Sequence, residues 1–241
     1  MELIEKINAL CSQCEDVLKS CCSDEILEDS KDLALRAQRT DSFVQVSNLM
    51  GRYASYHYYA QHLYTYEFFT KNGRATAELG STGVYADLDK IYAMFLIYHN
   101  HYNMPGTAHC HPLTTPYIIV SGDGKTAKTF MYTPGYEILP TDGDAPQFNM
   151  WFYDAYDIDF IQEDGQWKWL RFHLADDIKS PFYVSLGILG KQEGPHPDGL
   201  VPPSYYNEQS FTPYSYHRKP SLSANFPEPY YTYDEDTKGE V

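Results

Sequence analysis

The sequence predicts an α+β fold, with helices packed on one side of a curved antiparallel sheet. Helical periodicity comes first along the chain and strand alternation second, the order of an α+β domain. Asp164-Gly165 sits between two runs of apolar and aromatic residues, the strongest short-range hairpin signal a sequence offers. Nothing alternates as strand, helix, strand, so a doubly wound nucleotide-binding fold is not expected.

Residues 2–22 read as an amphipathic helix. Leu3, Ile7, Leu10, Cys14, Val17 and Cys21 form its heptad-spaced apolar seam, with cysteine serving as a small hydrophobe. Asp24 caps a second helix reaching about Gln38, and Asp41 caps a third from Phe43 to about Tyr59. On that third helix Val46, Met50, Tyr53 and His57 share a face, because their spacings are three or four. Leu63 to Phe69 continues helically and stops before Lys71-Asn72-Gly73. Ala75–Leu79 and Gly83–Tyr85 pair as a short hairpin. Asp87 caps a further helix through Tyr98, striped with Ile91, Met94 and Phe95, and Pro105-Gly106 ends that pattern.

Strands follow at His109–Val120, Thr126–Tyr132, Gln147–Ile161 and Trp167–Leu174, with Gly122-Asp123-Gly124 turning between the first two. On the last strand Trp167, Trp169, Arg171 and His173 share one face by period-two alternation. That face reads as a pocket wall, since a guanidinium buried without a partner is costly. Beyond Asp176 regular periodicity ends. Most of the fifteen prolines fall there, interleaved with Tyr205, Tyr206, Tyr214, Tyr216, Tyr230, Tyr231 and Tyr233. A tail this aromatic is unlike a disordered segment and predicts a strap lying on the core or on a neighbouring subunit. The expected organisation is a helical extension over 1–40, a core domain over 41–175 and a Pro/Tyr-rich strap over 176–241.

Lys plus Arg number 18 against 33 Asp plus Glu, a net charge of −15. Nucleic acid and anionic membranes are therefore not expected as partners, because both need clustered positive charge. No apolar run reaches the roughly 18 residues of a spanning helix, and the amino terminus lacks a basic-then-apolar leader, so a cytoplasmic protein is expected. The five cysteines are an odd count, which argues against a secreted disulfide framework. Cys11-x-x-Cys14 has no second pair with which to build a zinc site. The 23 tyrosines suit an aromatic ligand or a tyrosine-rich subunit interface.

Five segments in order carry a resemblance. They are Asn48-Leu49-Met50-Gly51-Arg52-Tyr53 with Tyr56-His57, Gly83-Val84-Tyr85, Gly106-Thr107-Ala108-His109, Thr115-Pro116-Tyr117-Ile118, and Glu163-Asp164-Gly165-Gln166-Trp167-Lys168. Over about residues 41–175 the chain resembles the SnoaL-like branch of the nuclear transport factor 2-like superfamily, and its tail is similar to that of the longer bacterial members. The resemblance implies a cone-shaped α+β barrel: a strongly curved antiparallel sheet wrapped around helices, with helical and extended additions at the two ends. Relatives include polyketide cyclases, scytalone dehydratase, bile acid 7α-dehydratase, ketosteroid isomerase and lyases acting on diarylpropanes, most of which move protons without a cofactor. By position, Tyr53 matches a helix tyrosine that contacts substrate oxygen in the dehydratases, and His111 matches their strand histidine. The bile acid enzyme's helix aspartate falls at or beside Tyr58, next to His57, and its strand aspartate falls near Gly135, two residues from Glu137.

His57, His111, Tyr53, Arg171 and Glu137 form the expected catalytic set. Histidine titrates near neutral pH without special tuning, and phenols with a guanidinium can stabilise a developing oxyanion. Met50, Tyr58, His109, Tyr136, Trp151, Trp169 and His173 are the expected substrate contacts, and Glu78 is a second candidate carboxylate beside Glu137 in role, although most glutamates are solvated. Asp157 or Asp159 offers Arg171 a structural pairing instead. His99-Asn100-His101 and His109-Cys110-His111 are two His-x-His pairs, but the first follows a helix, so no metal and no cofactor are expected. Gly-rich phosphate loops and Gly-x-Ser-x-Gly elbows are absent. The expected function is a cofactor-independent lyase acting on a hydroxylated aromatic or polycyclic small molecule, in an apolar pocket, from a homodimer or homotrimer. An isomerase or cyclase, and a non-catalytic binding or assembly module, are the alternatives.

Overall fold

A computed structural model describes residues 12–14, 17, 24–99, 105–139, 148–184, 201–205, 214 and 226–234. Chain contacts divide it into two units, Met1–Ser42 and Phe43–Val241. In the first unit residues 12–14 and 17 are helical, while most of the amino-terminal heptad seam lies outside the described residues. Helix α1 runs unbroken from Asp24 to Tyr58, not as two helices. The Thr40 and Ser42 hydroxyls donate to the Arg36 and Gln38 carbonyls, so these polar side chains bond back along the helix instead of ending it.

In the second unit, the buried stripe of α1 is Val46, Leu49, Met50, Tyr53 and His57. A 3₁₀ turn, His62–Phe68, follows. Among the described residues the sheet has seven strands: β1 (Thr76–Leu79), β2 (Val84–Tyr85), β3 (Ala108–Cys110), β4 (Thr114–Val120), β5 (Thr126–Leu139), β6 (Phe148–Glu163) and β7 (Gln166–Pro181). Helix α2 (Leu88–Ala93) is capped by Asp87, whose carboxylate accepts from the Lys90 amide at 2.7 Å, and it runs on as a π turn, Met94–His99. Strand order is β2-β1-β7-β6-β5-β3, with β4 also on β5. The result is a curved, unclosed sheet packed with helices, the cone expected.

The sheet departs from a purely antiparallel meander, because β1 pairs with β7 in parallel. The expected His109–Val120 strand is two pieces, separated at His111–Leu113, and Thr115 near the start of the second piece takes a positive φ of 50°. At the β6–β7 turn Asp164 and Gly165 both have positive φ, 51° and 72°, as a two-residue hairpin turn requires. β7 continues to Pro181, past the Asp176 boundary read from the sequence.

The tail's described pieces lie on the sheet. Val84 and Tyr205 exchange backbone hydrogen bonds, and the Gly122 and Asp123 amides donate to the Tyr230 and Tyr231 carbonyls. Phe226 stacks on Tyr117 at 4.6 Å between ring centroids. Among the described residues no helix is long and apolar enough to cross a membrane.

Candidate functional site

The two faces of the sheet separate the sequence's candidates. The face toward α1 is built from Tyr156, Ile158 and Phe160 of β6, with Trp169 and Phe172 of β7 opposite the last two. Tyr53 sits against it, 5.1 Å from Trp169 and 5.3 Å from Phe172, and its hydroxyl meets that of Tyr156 at 3.1 Å. Burial, above all, raises the pKa of both phenols, so they remain neutral donors. Met50 and Trp169 are fully buried in this core.

At the end of α1 four imidazoles converge. His57 lies in its last turn, and its ring centroid is 5.0 Å from His62, 5.4 Å from His109 and 4.9 Å from His111. All four rings are buried. His62 enters through the 3₁₀ turn, made possible by a tight reversal at Ala60 (φ 53°). His109 lies opposite Glu137 in the β3–β5 register. The Glu137 carboxylate is 3.2 Å from His111 Nε2 and 3.7 Å from His109 Nδ1, a hydrogen bond and a looser ion-pair contact respectively. Burial opposes ionisation of Glu137, but the two histidines outweigh it and hold its carboxyl well below the usual range. His57, His109 and Glu137 each place one donor atom within 4.8 Å of the other two.

Gly135 explains why this wall carries no side chain two residues earlier: a Cβ there would overlap the Cys110 carbonyl. A second polar group faces the same side. Phe152 contacts His111 at 5.4 Å and lies beneath Lys179 Nζ at 5.4 Å. Lys179 pairs with Asp176 at 2.6 Å, and Asp176 is opposite Asp154 in register. Burial, then the Asp176 charge, pushes the Asp154 carboxyl well above its ordinary value. Burial works against the Lys179 ammonium, yet Asp176 and Asp154 hold its pKa above the usual one.

Arg171 and His173 do not join this cluster, which corrects the shared face expected of β7. The strand bulges between Trp169 and Arg171, where Asp159–Phe160 of β6 faces three residues, so the alternation inverts at Leu170. Arg171 lies on the opposite face, paired with Asp157 and, at 3.1 Å, with Asp159. Tyr233 of the tail donates to Asp159 at 2.9 Å. His173 faces Asp157 at 3.5 Å and Glu78 at 4.0 Å. Tyr136 and Trp151 also face outward, packed with Phe182. Tyr58 is 49% exposed and touches Tyr59. Trp167 lines a separate cleft of about 540 Å³ with Leu49, Arg52, Phe68 and Lys168.

The structure therefore brings together His57, His109, His111, Glu137, Tyr53, Met50 and Trp169. It leaves Arg171, His173, Tyr136, Trp151 and Tyr58 outside. Sequence reasoning missed His62, Asp154, Tyr156, Asp176 and Lys179. Asp154 and Tyr156 were open to discovery, since both alternate in step with Ile158 and Phe160. The cluster is a packed group of buried imidazoles and one carboxylate, more polar than the lining of the apolar pocket expected.

Comparison with known proteins bears on the fold. The model of the SnoaL-like domain matches residues 38–173. No curated protein matches the sequence significantly. Solved structures that superpose include LinA, with TM-score 0.52 and 12% identity over 62% of this chain and 95% of that one. A type 2 hexachlorocyclohexane dehydrochlorinase (LinA) gives 0.50 and 15% over 61% and 93%. A candidate scytalone dehydratase from Novosphingobium aromaticivorans DSM 12444 gives 0.49 and 15% over 62% and 93%.

Proposed function

The chain belongs to the SnoaL-like domain family, and on that premise we propose that it is a lyase eliminating a small molecule from a hydroxylated aromatic or polycyclic substrate. One observation carries the reading. His111 Nε2 is hydrogen-bonded to Glu137, while His111 Nδ1 is buried without a hydrogen-bond partner. A carboxylate accepting from Nε2–H fixes the tautomer in which Nδ1 holds the lone pair. That nitrogen is then a positioned base.

In elimination of water, Nδ1 of His111 takes a proton from carbon, the C–H electrons become a C=C bond, and the C–O bond breaks. His57 or the Tyr53 hydroxyl gives a proton to the departing hydroxyl, which leaves as water. In the carbon–carbon variant His111 takes the hydroxyl proton instead, the O–H electrons form the C=O bond of a departing small aldehyde, and the electron pair of the broken C–C bond takes a proton from His57 or the Tyr53 hydroxyl to form a C–H bond. Both need only proton transfers, which these side chains carry themselves. The dehydrochlorinase name of one structural neighbour denotes an elimination of the same class. The reading includes a homodimer or homotrimer, for which light scattering at micromolar protein is the check.

The test is to incubate the protein with panels of hydroxylated aromatics and steroids in deuterated buffer and follow mass. Loss of water or an aldehyde from one ligand, abolished in His57→Ala or His111→Ala variants that still bind it, is expected. Deuterium uptake with no mass loss replaces the lyase with an isomerase. Binding with neither change replaces it with a binding module.

A further inference from the structure

The acid–base reading leaves part of the cluster unexplained. His109 is buried, and neither of its ring nitrogens has a partner within hydrogen-bond distance. Buried polar atoms in folded proteins are otherwise nearly always satisfied, so an orphaned pair needs a cause. Its neighbours supply one. His109 Nδ1 lies 3.7 Å from the Glu137 carboxylate, and donor atoms of His57, His109 and Glu137 lie within 4.8 Å of one another. Ligand atoms around a tetrahedral ion at about 2.0–2.1 Å are roughly 3.4 Å apart. One pair already has nearly that separation, and closing the rest needs approaches of at most about 1.4 Å, within reach of imidazole rotation.

We propose that His57, His109 and Glu137 bind a divalent transition-metal ion of the zinc class. Two imidazoles and one carboxylate are a donor set suited to zinc and to other first-row divalent ions. The three come from different parts of the fold: the last turn of α1, β3, and the β5 residue opposite His109. This is not either of the His-x-His pairs visible in the sequence, because His109 pairs with a helix residue and a cross-strand carboxylate rather than with His111 or His99. Three protein ligands leave a coordination position for water or a substrate oxygen, with His111 beside it. The inference goes beyond the lyase reading: with the ion bound, His57 is a ligand and the Tyr53 hydroxyl is the proton donor.

The experiment titrates chelator-treated, full-length protein with cobalt(II) chloride and follows the visible ligand-field bands. One equivalent is expected to bind, with bands that zinc(II) chloride then erases. Zinc should also raise the thermal midpoint, as any ligand of the folded state does. Glu137→Gln keeps the size of the side chain, and with His109→Ala it should weaken cobalt binding by about 100-fold or more. Cys14→Ser, at an exposed cysteine of the first unit, should change nothing. Absent cobalt bands, or bands of full strength in both Glu137→Gln and His109→Ala, overturn the proposal. Chelated protein that still eliminates while cobalt leaves no bands refutes the metal alone. Cobalt bands lost in both variants, in a protein that transforms no ligand, support the metal and refute the lyase.

Discussion

Glu137 is the residue on which the protonation of the cluster turns. Its folded pKa lies below the ordinary carboxylate value, because the His109 and His111 contacts outweigh burial. The sign follows directly: its contribution to stability is full above the ordinary carboxylate pKa and disappears as pH falls through the depressed folded value. Glu137→Gln should therefore flatten the acid limb of a stability–pH curve measured by urea denaturation; an unchanged limb refutes the assignment. Arg171 makes the opposite point. It lies across the sheet with Asp157 and Asp159, so Arg171→Met leaves two buried carboxylates without their cation. The expected loss is about 3–5 kcal/mol of stability, with kcat on the panel's best ligand unchanged; a selective loss of kcat would return Arg171 to the site. Helical spacing put His57, Tyr53 and Met50 on one face, and Glu137 came only from the resemblance, which placed a relative's strand aspartate two residues away, near Gly135. Arg171 was misread because a period-two rule has no means of seeing a bulge, and Leu170 is that bulge.

Among elements, β5 carries the site's positioning. Gly135 lets the Cys110 carbonyl close onto the strand, and His111 follows immediately. Gly135→Ala must push that backbone away, and overpacking of this kind costs about 1–3 kcal/mol. We expect a lower thermal midpoint together with a kcat loss larger than any change in ligand affinity; a variant with wild-type kcat would show that His111 tolerates the shift. The antiparallel hairpin β6–β7 was legible because its Asp164-Gly165 turn is local chemistry. The parallel pairing of β1 with β7 was not, since its partners are remote in sequence and nothing local encodes their register. The break expected between Gln38 and Asp41 failed because the polar residues there satisfy themselves against their own helix.

At the scale of the molecule, one described piece of the tail, residues 226–234, packs on the outward sheet face through Phe226 on Tyr117 and Phe130 and through Tyr233 on Asp159. Deleting residues 226–241 should cost about 2–4 kcal/mol from lost apolar burial and a charged hydrogen bond, read as a lower urea midpoint; an unchanged midpoint would make the covering incidental. The cone itself was legible from element order and from a resemblance. What it encloses was legible only in part, because convergence of β3, β5 and the end of α1 is a tertiary fact. Rate and affinity of His111→Ala on the best ligand test the central claim most directly. A fall in elimination of about 10²–10⁴-fold, with affinity nearly unchanged, is the predicted result. An elimination rate equal to wild type would contradict it.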